Sequence, residues 1–124
     1  MPPPILEYEA EMALDISKHA SNVKTEYAYD HIFGYLNFFD VSVRGVPAFY
    51  QMKSRDRFAR MGPWLVTCDE IPDPQVLQIS TFINGQRKQH ESTAQMIFPV
   101  ARLIEYISTF VTRVGFPHRD DFSR

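Results

Sequence analysis

Between positions 6 and 17 apolar and polar residues alternate without a break: Leu6, Tyr8, Ala10, Met12, Leu14 and Ile16 fall on one parity, Glu7, Glu9, Glu11, Ala13, Asp15 and Ser17 on the other. A period of two matches a strand with one buried face and excludes an amphipathic helix over the same stretch. A second constraint lies at Asn84-Gly85, the favoured pair for a two-residue type I′ turn, flanked by residues 77–83 and by the polar return 86–91. These features predict a half-buried strand and a hairpin. The 124 residues of the chain, 44% hydrophobic and 23% charged, suit one domain with a modest core.

Residues 22–24 predict a turn, and 25–31 a short helix with Thr25 as N-cap. The aromatic run at 32–39 predicts a buried strand ending at Asp40, with Phe33, Tyr35, Phe38 and Phe39 in the core. Gly45, Pro47 and dense charge from Lys53 onward mark 44–60 as an irregular loop. A further apolar strand is expected at 64–67, stopped by the proline-rich stretch 69–74. Val100, Leu103, Ile104, Ile107 and Val111 then recur at helical spacing behind Pro99, which predicts a C-terminal helix near 99–112. Residues 114–124 carry no periodicity and are expected to form a mobile tail.

Charge and cysteine content narrow the function classes. A net charge of −2 with scattered basic residues offers no footprint for nucleic acid or an anionic membrane. No segment reaches membrane-spanning length, and Met1-Pro2-Pro3-Pro4 lacks the basic and apolar parts of a secretory signal, so a cytoplasmic location is the expectation. The single Cys68 excludes an intrachain disulfide and every multi-cysteine zinc pattern, and it reads as a buried small hydrophobe rather than a nucleophile. The histidines at 19, 31, 90 and 118 show no metal-ligand spacing, and the dispersed glycines form no phosphate-binding loop.

The carboxylates carry the sharpest chemistry. Strand geometry places Glu9 and Glu11 side by side on one face, where they repel each other. A hard divalent cation such as Mg²⁺ or Mn²⁺ would relieve that repulsion through oxygen ligands. The plainer reading is a solvated strand face, since Glu7 and Asp15 share it. Asp40 offers a third carboxylate or a strand terminator. Arg44, Lys53, Arg55, Arg57 and Arg60 concentrate positive charge downstream, for an anionic substrate or simply for solvent.

Several ordered blocks resemble one family. Tyr8-Glu9-Ala10-Glu11-Met12-Ala13-Leu14 looks like the paired-glutamate strand of the fumarylacetoacetate hydrolase family. Phe33-Gly34-Tyr35 through Asp40-Val41-Ser42-Val43-Arg44 resembles its aspartate motif. Lys53-Ser54 with Met61-Gly62-Pro63-Trp64 and Asp69 to Pro74 is similar to its lysine block, and Asn84-Gly85 with Met96-Ile97-Phe98 to its hairpin and following strand.

The resemblance implies a mixed α/β, β-rich fold, part of the family's β-fold, and a divalent metal, Mg²⁺ or Mn²⁺ with Ca²⁺ as a further candidate, held by Glu9, Glu11 and Asp40. It implies a small-molecule 2-oxo or 1,3-dicarbonyl acid as substrate, with the metal stabilising an enolate during carbon–carbon hydrolysis, decarboxylation or isomerisation. Lys53 matches the active-site lysine, and Arg44 would order the site or meet a substrate carboxylate. A homodimer or higher homo-oligomer is common in the family. Members carry more chain before the paired-glutamate strand and continue after the helix into a glycine- and threonine-rich segment that residues 113–124 do not resemble. The resemblance therefore implies a partial catalytic domain at 1–113 with a non-matching tail at 114–124, and it leaves a catalytically inactive interaction protein as the alternative.

Overall fold

A computed structural model describes residues 5–112. The alternating segment forms β1, Ile5–Ile16, paired antiparallel with β2, Ile32–Arg44. β2 in turn pairs antiparallel with β3, Ala59–Thr67, so β2 is central and β1 and β3 are the edges. β4, Gln78–Ile83, and β5, Gln86–Ser92, form a separate two-stranded hairpin. Its turn residues Asn84 and Gly85 take φ of 50° and 78°, both left-handed, as a type I′ turn demands. A short helix α1, Tyr50–Lys53, joins β2 to β3, and α2, Val100–Ser108, closes the described chain.

The apolar parity of β1 supplies one wall of the core. Met12, Leu14 and Ile16 pack on a cluster of Ala20, Val23, Ala28, Ile32, Tyr35, Val100, Ala101 and Ile104, which joins the sheet to α2. Polar clasps fix this packing. The Ser108 hydroxyl accepts the Val23 N–H at 2.9 Å, and the Ser108 carbonyl accepts the Asn22 N–H at 2.8 Å. At the other end of α2, the Gln75 side chain accepts the Val100 N–H at 2.5 Å and donates to the Thr93 carbonyl at 3.2 Å. A glutamine remote in sequence thus caps a helix whose Pro99 N-cap has no capping side chain. The hairpin meets the sheet through Gln89, whose amide oxygen accepts the outward N–H of Ala10 at 3.0 Å and the Thr81 hydroxyl at 3.2 Å.

Several expectations are corrected. Asp40 is not the end of its strand: β2 runs on to Arg44, because Val41 and Val43 continue the alternation with Ser42 and Arg44. The segment 25–31 is a 3₁₀-helix with Lys24, not Thr25, at the N-cap position; the Thr25 N–H is instead met by the Glu105 carboxylate at 3.4 Å. The loop at 44–60 contains α1, and β3 begins before its close. Phe33, Trp64 and Leu65 are exposed although their strands are apolar, since neither face of the sheet is covered along its full length. Cys68 is exposed rather than buried. Met96, Ile97 and Phe98 form no strand, and α2 stops at Ser108, one turn short of Val111. The expected tail at 114–124 lies outside the described residues. Among those described, no helix is long and apolar enough to cross a membrane.

Candidate metal centre

The β1–β2 register decides which side chains meet. Glu9 stands opposite Asp40, Glu7 opposite Ser42 and Glu11 opposite Phe38. Directly paired residues share a face, so Glu7, Glu9, Glu11 and Asp40 all stand on the side of the sheet away from the apolar parity of β1. One carboxylate oxygen from each of Glu9, Glu11 and Asp40 lies within 4.8 Å of the others, and no histidine joins them among the described residues. Glu9 and Glu11 are exposed, whereas the Asp40 side chain keeps only 15% of its surface. Asp15 lies further along the same strand face, opposite Gly34, and takes no part.

Lys53 reaches this cluster from the end of α1. Its ammonium donates to Asp40 Oδ2 and lies 3.5 Å from Glu9 Oε2. The short connection from Arg44 is therefore sufficient to bring the lysine onto the carboxylates. Partial desolvation of the carboxyl group of the otherwise exposed Glu11, reinforced by the charges of Asp40 and Glu9 and opposed by Lys53, holds it above its ordinary range. The hydrogen bond to Asp40, with the charges of Asp40 and Glu9 behind it, raises Lys53 above the usual lysine value.

Arg44 lies outside the cluster. It binds Glu7 through both Nε and Nη2 at 2.6 Å, with both side chains about half exposed (45% and 47%), and that hydrogen bond raises its affinity for its proton. Glu7 is the partner that pattern reading passed over as solvated, although its shared parity with Glu9 was the available signal. Beside it, the Ser42 hydroxyl is buried and has no hydrogen-bond partner among the described residues.

The donor set fits a hard divalent cation. Three carboxylates against one ammonium leave two negative charges unbalanced. Mg²⁺-like ions hold oxygens at about 2.1 Å, so ligands on opposite sides sit about 4.2 Å apart. The observed spread of up to 4.8 Å is close to that span, and the exposed Glu9 and Glu11 side chains border solvent.

Known proteins share this arrangement of chain. The family profile described as fumarylacetoacetate (FAA) hydrolase C-terminal matches residues 3–115. A maleylpyruvate hydrolase of Aquipseudomonas alcaligenes is 40% identical over 106 residues, covering 86% of this chain and 37% of that protein. The oxaloacetate tautomerase YisK of Bacillus subtilis is 38% identical over 111 residues, with the same two coverages of 86% and 37%. The crystal structure of a maleylpyruvate hydrolase from Sphingobium sp. SYK-6, in complex with manganese (II) ion and pyruvate, superposes with a TM-score of 0.84 at 29% identity. It covers 93% of this chain and 42% of that one. The chain thus spans well under half the length of these relatives. On the match of the family profile to nearly the whole sequence, the chain belongs to the fumarylacetoacetate hydrolase family.

Proposed function

We propose that this chain provides the metal-binding part of a divalent-metal-dependent hydrolase or lyase acting on a 2-oxo or 1,3-dicarbonyl acid. The observation that carries the reading is the convergence of Glu9, Glu11 and Asp40 oxygens within 4.8 Å under the Lys53 ammonium. Glu9, Glu11 and Asp40 would hold Mg²⁺ or Mn²⁺, with Ca²⁺ a third candidate. When bound, the cation supplies positive charge to substrate oxygens on which negative charge develops. The carboxylates fix the position of that charge on a rigid two-strand ladder. Lys53 offers a second, mobile positive charge beside it, suited to neutralising a developing anion. Arg44, anchored on Glu7 at the end of the same row, orders that end of the site and faces an incoming carboxylate.

The manganese and pyruvate of the Sphingobium relative support a small oxo acid, and the named hydrolase and tautomerase relatives support hydrolysis or isomerisation, with decarboxylation as the third reaction of the proposed class. A cytoplasmic homodimer or higher homo-oligomer completes the proposal.

Calorimetric titration of the metal-stripped protein with Mn²⁺ and Mg²⁺ tests the reading. Stoichiometric binding that disappears in Glu11→Gln supports it, and turnover assays with acylpyruvates and oxaloacetate then separate the reactions. Unchanged metal affinity in that variant overturns it.

A second reading, a catalytically inactive interaction protein, draws on the exposed side chains of Trp64, Ile97, Phe98, Tyr106 and Phe110, 58–75% exposed apart from Ile97 at 89%. It requires a folded protein that associates through exposed apolar side chains such as these and binds neither cation.

A further inference from the structure

The segment between Arg44 and β3 is fastened to the sheet in an unusual way. None of the α1 residues is buried, and Phe49 and Tyr50 project into solvent at 83% and 68% exposure. Its backbone bonds are internal: Gln51 N–H to Ala48, Met52 to Phe49, Ser54 to Tyr50, Arg55 to Lys53 and Phe58 to Arg55. Its other side-chain bonds are internal as well, Gln51 to Tyr50 and Arg55 to the Gln51 carbonyl. Only at the far end does the Phe58 carbonyl accept from the Val41 N–H, where β3 joins β2. Among the described residues, Lys53 therefore makes the only polar side-chain link from residues 45–57 to the rest of the fold, and it makes that link to Asp40 and Glu9.

We propose that Lys53 is a latch that a divalent cation opens. This rests on the metal site proposed above, and it adds that the cation and the ammonium compete for the same Asp40 and Glu9 oxygens. In the metal-free protein Lys53 supplies the positive charge those carboxylates require and so holds residues 45–57 down on the sheet. A cation at the carboxylates would take over that role and repel the ammonium, leaving the segment held by its two ends and by the packing of its half-buried Val46, Ala48, Gln51 and Met52. Lys53 and the exposed Phe49 and Tyr50 then become free to fold over a bound oxo acid, so that the residue that secures the empty site is released when the site is charged. Gly45, with φ of 79° and open space around it, lies at one end of the segment and provides a pivot.

The test uses the full chain, with limited trypsin digestion read by mass spectrometry at the Arg55 and Arg57 bonds, in parallel with calorimetry. Wild-type protein should be cut at these bonds several-fold faster with saturating Mn²⁺ than after metal stripping, and Glu11→Gln should show no such acceleration. Lys53→Met should be cut fast with or without Mn²⁺ and should bind Mn²⁺ about fivefold more tightly, because a competing charge beside the site is gone. Lys53→Arg keeps the charge and should remain metal-responsive, which separates the latch from any general effect of substitution. The latch is overturned if Mn²⁺ binds the wild type but leaves cleavage unchanged or slows it, or if Lys53→Met binds Mn²⁺ more weakly. Absence of Mn²⁺ binding in the wild type overturns the metal site itself. In that case the metal-free comparison of wild type with Lys53→Met still decides whether the lysine holds the segment.

Discussion

Glu9 and Asp40 occupy directly opposed positions in the β1–β2 ladder, two like charges where a sheet ordinarily pairs opposite or apolar side chains. Glu11, one pleat further along, adds a third. Lys53 offsets only part of this, so the metal-free fold carries an electrostatic cost at the place where its chemistry is proposed to occur.

Glu11→Gln should therefore make the metal-free protein more heat-stable at neutral pH while removing its stabilisation by Mn²⁺. The sign follows from the raised Glu11 carboxyl, which partial desolvation and then Asp40 and Glu9 hold above its ordinary value. Its contribution is most favourable below the ordinary carboxylate range and is lost as pH rises through the raised value, so the ionised form at neutral pH is a burden. Melting curves with and without Mn²⁺ check this. A lower melting temperature for the stripped variant, or an undiminished Mn²⁺ shift, would contradict it.

Arg44→Met should leave the melting temperature close to that of wild type, because both members of the Arg44–Glu7 pair are about half exposed (45% and 47%) and screened by water. Mn²⁺ affinity, measured by calorimetry, should stay within about twofold of wild type, a shift well under 1 kcal/mol. A tenfold loss would place Arg44 much closer to the cation than its bond to Glu7 implies.

Two glycines should respond differently to alanine. A Cβ at Gly34 would drive into the backbone carbonyl of Val66 on β3, so Gly34→Ala should cost about 2–3 kcal/mol by urea denaturation. At Gly85 nothing lies within 4 Å, and only the left-handed φ of 78° resists, so Gly85→Ala should cost about 1 kcal/mol. Equal costs would mean that the β2–β3 contact yields more readily than its geometry indicates.

Gln75→Ala removes the group that accepts the Val100 N–H and donates to Thr93, and should cost about 1–2 kcal/mol. Gln75→Glu keeps an acceptor and places negative charge at a helix N-terminus, so it should recover part of that loss. A Gln75→Ala midpoint equal to that of wild type would show that the cap contributes little.

The alternation in β1 made both the strand and the shared face of Glu9 and Glu11 legible, because a period of two is a local property of the chain. Asn84-Gly85 marked the hairpin for the same reason: the turn type is set by the backbone freedom of its own two residues. Asp40 was legible as a candidate but not as a partner of Glu9, since register is a long-range quantity fixed only when the strands pair. The four residues of α1 are too few to leave a periodic trace, so the element that delivers Lys53 read as loop. Cys68 and Phe33 were misjudged because apolar neighbours in sequence do not reveal whether anything covers the segment that carries them. The Gln75 cap spans 25 positions and left no local signal.

Gln89 lends its side-chain oxygen to an N–H on β1 that a neighbouring strand would otherwise take. The Ala10 amide is consequently a gauge of whether the hairpin and the three-stranded sheet are docked. Its hydrogen should exchange slowly while the two sheets stay joined and rapidly once they part, even if every hydrogen bond within each sheet survives. One proton, on the residue between Glu9 and Glu11, thus reports whether the two sheets are joined.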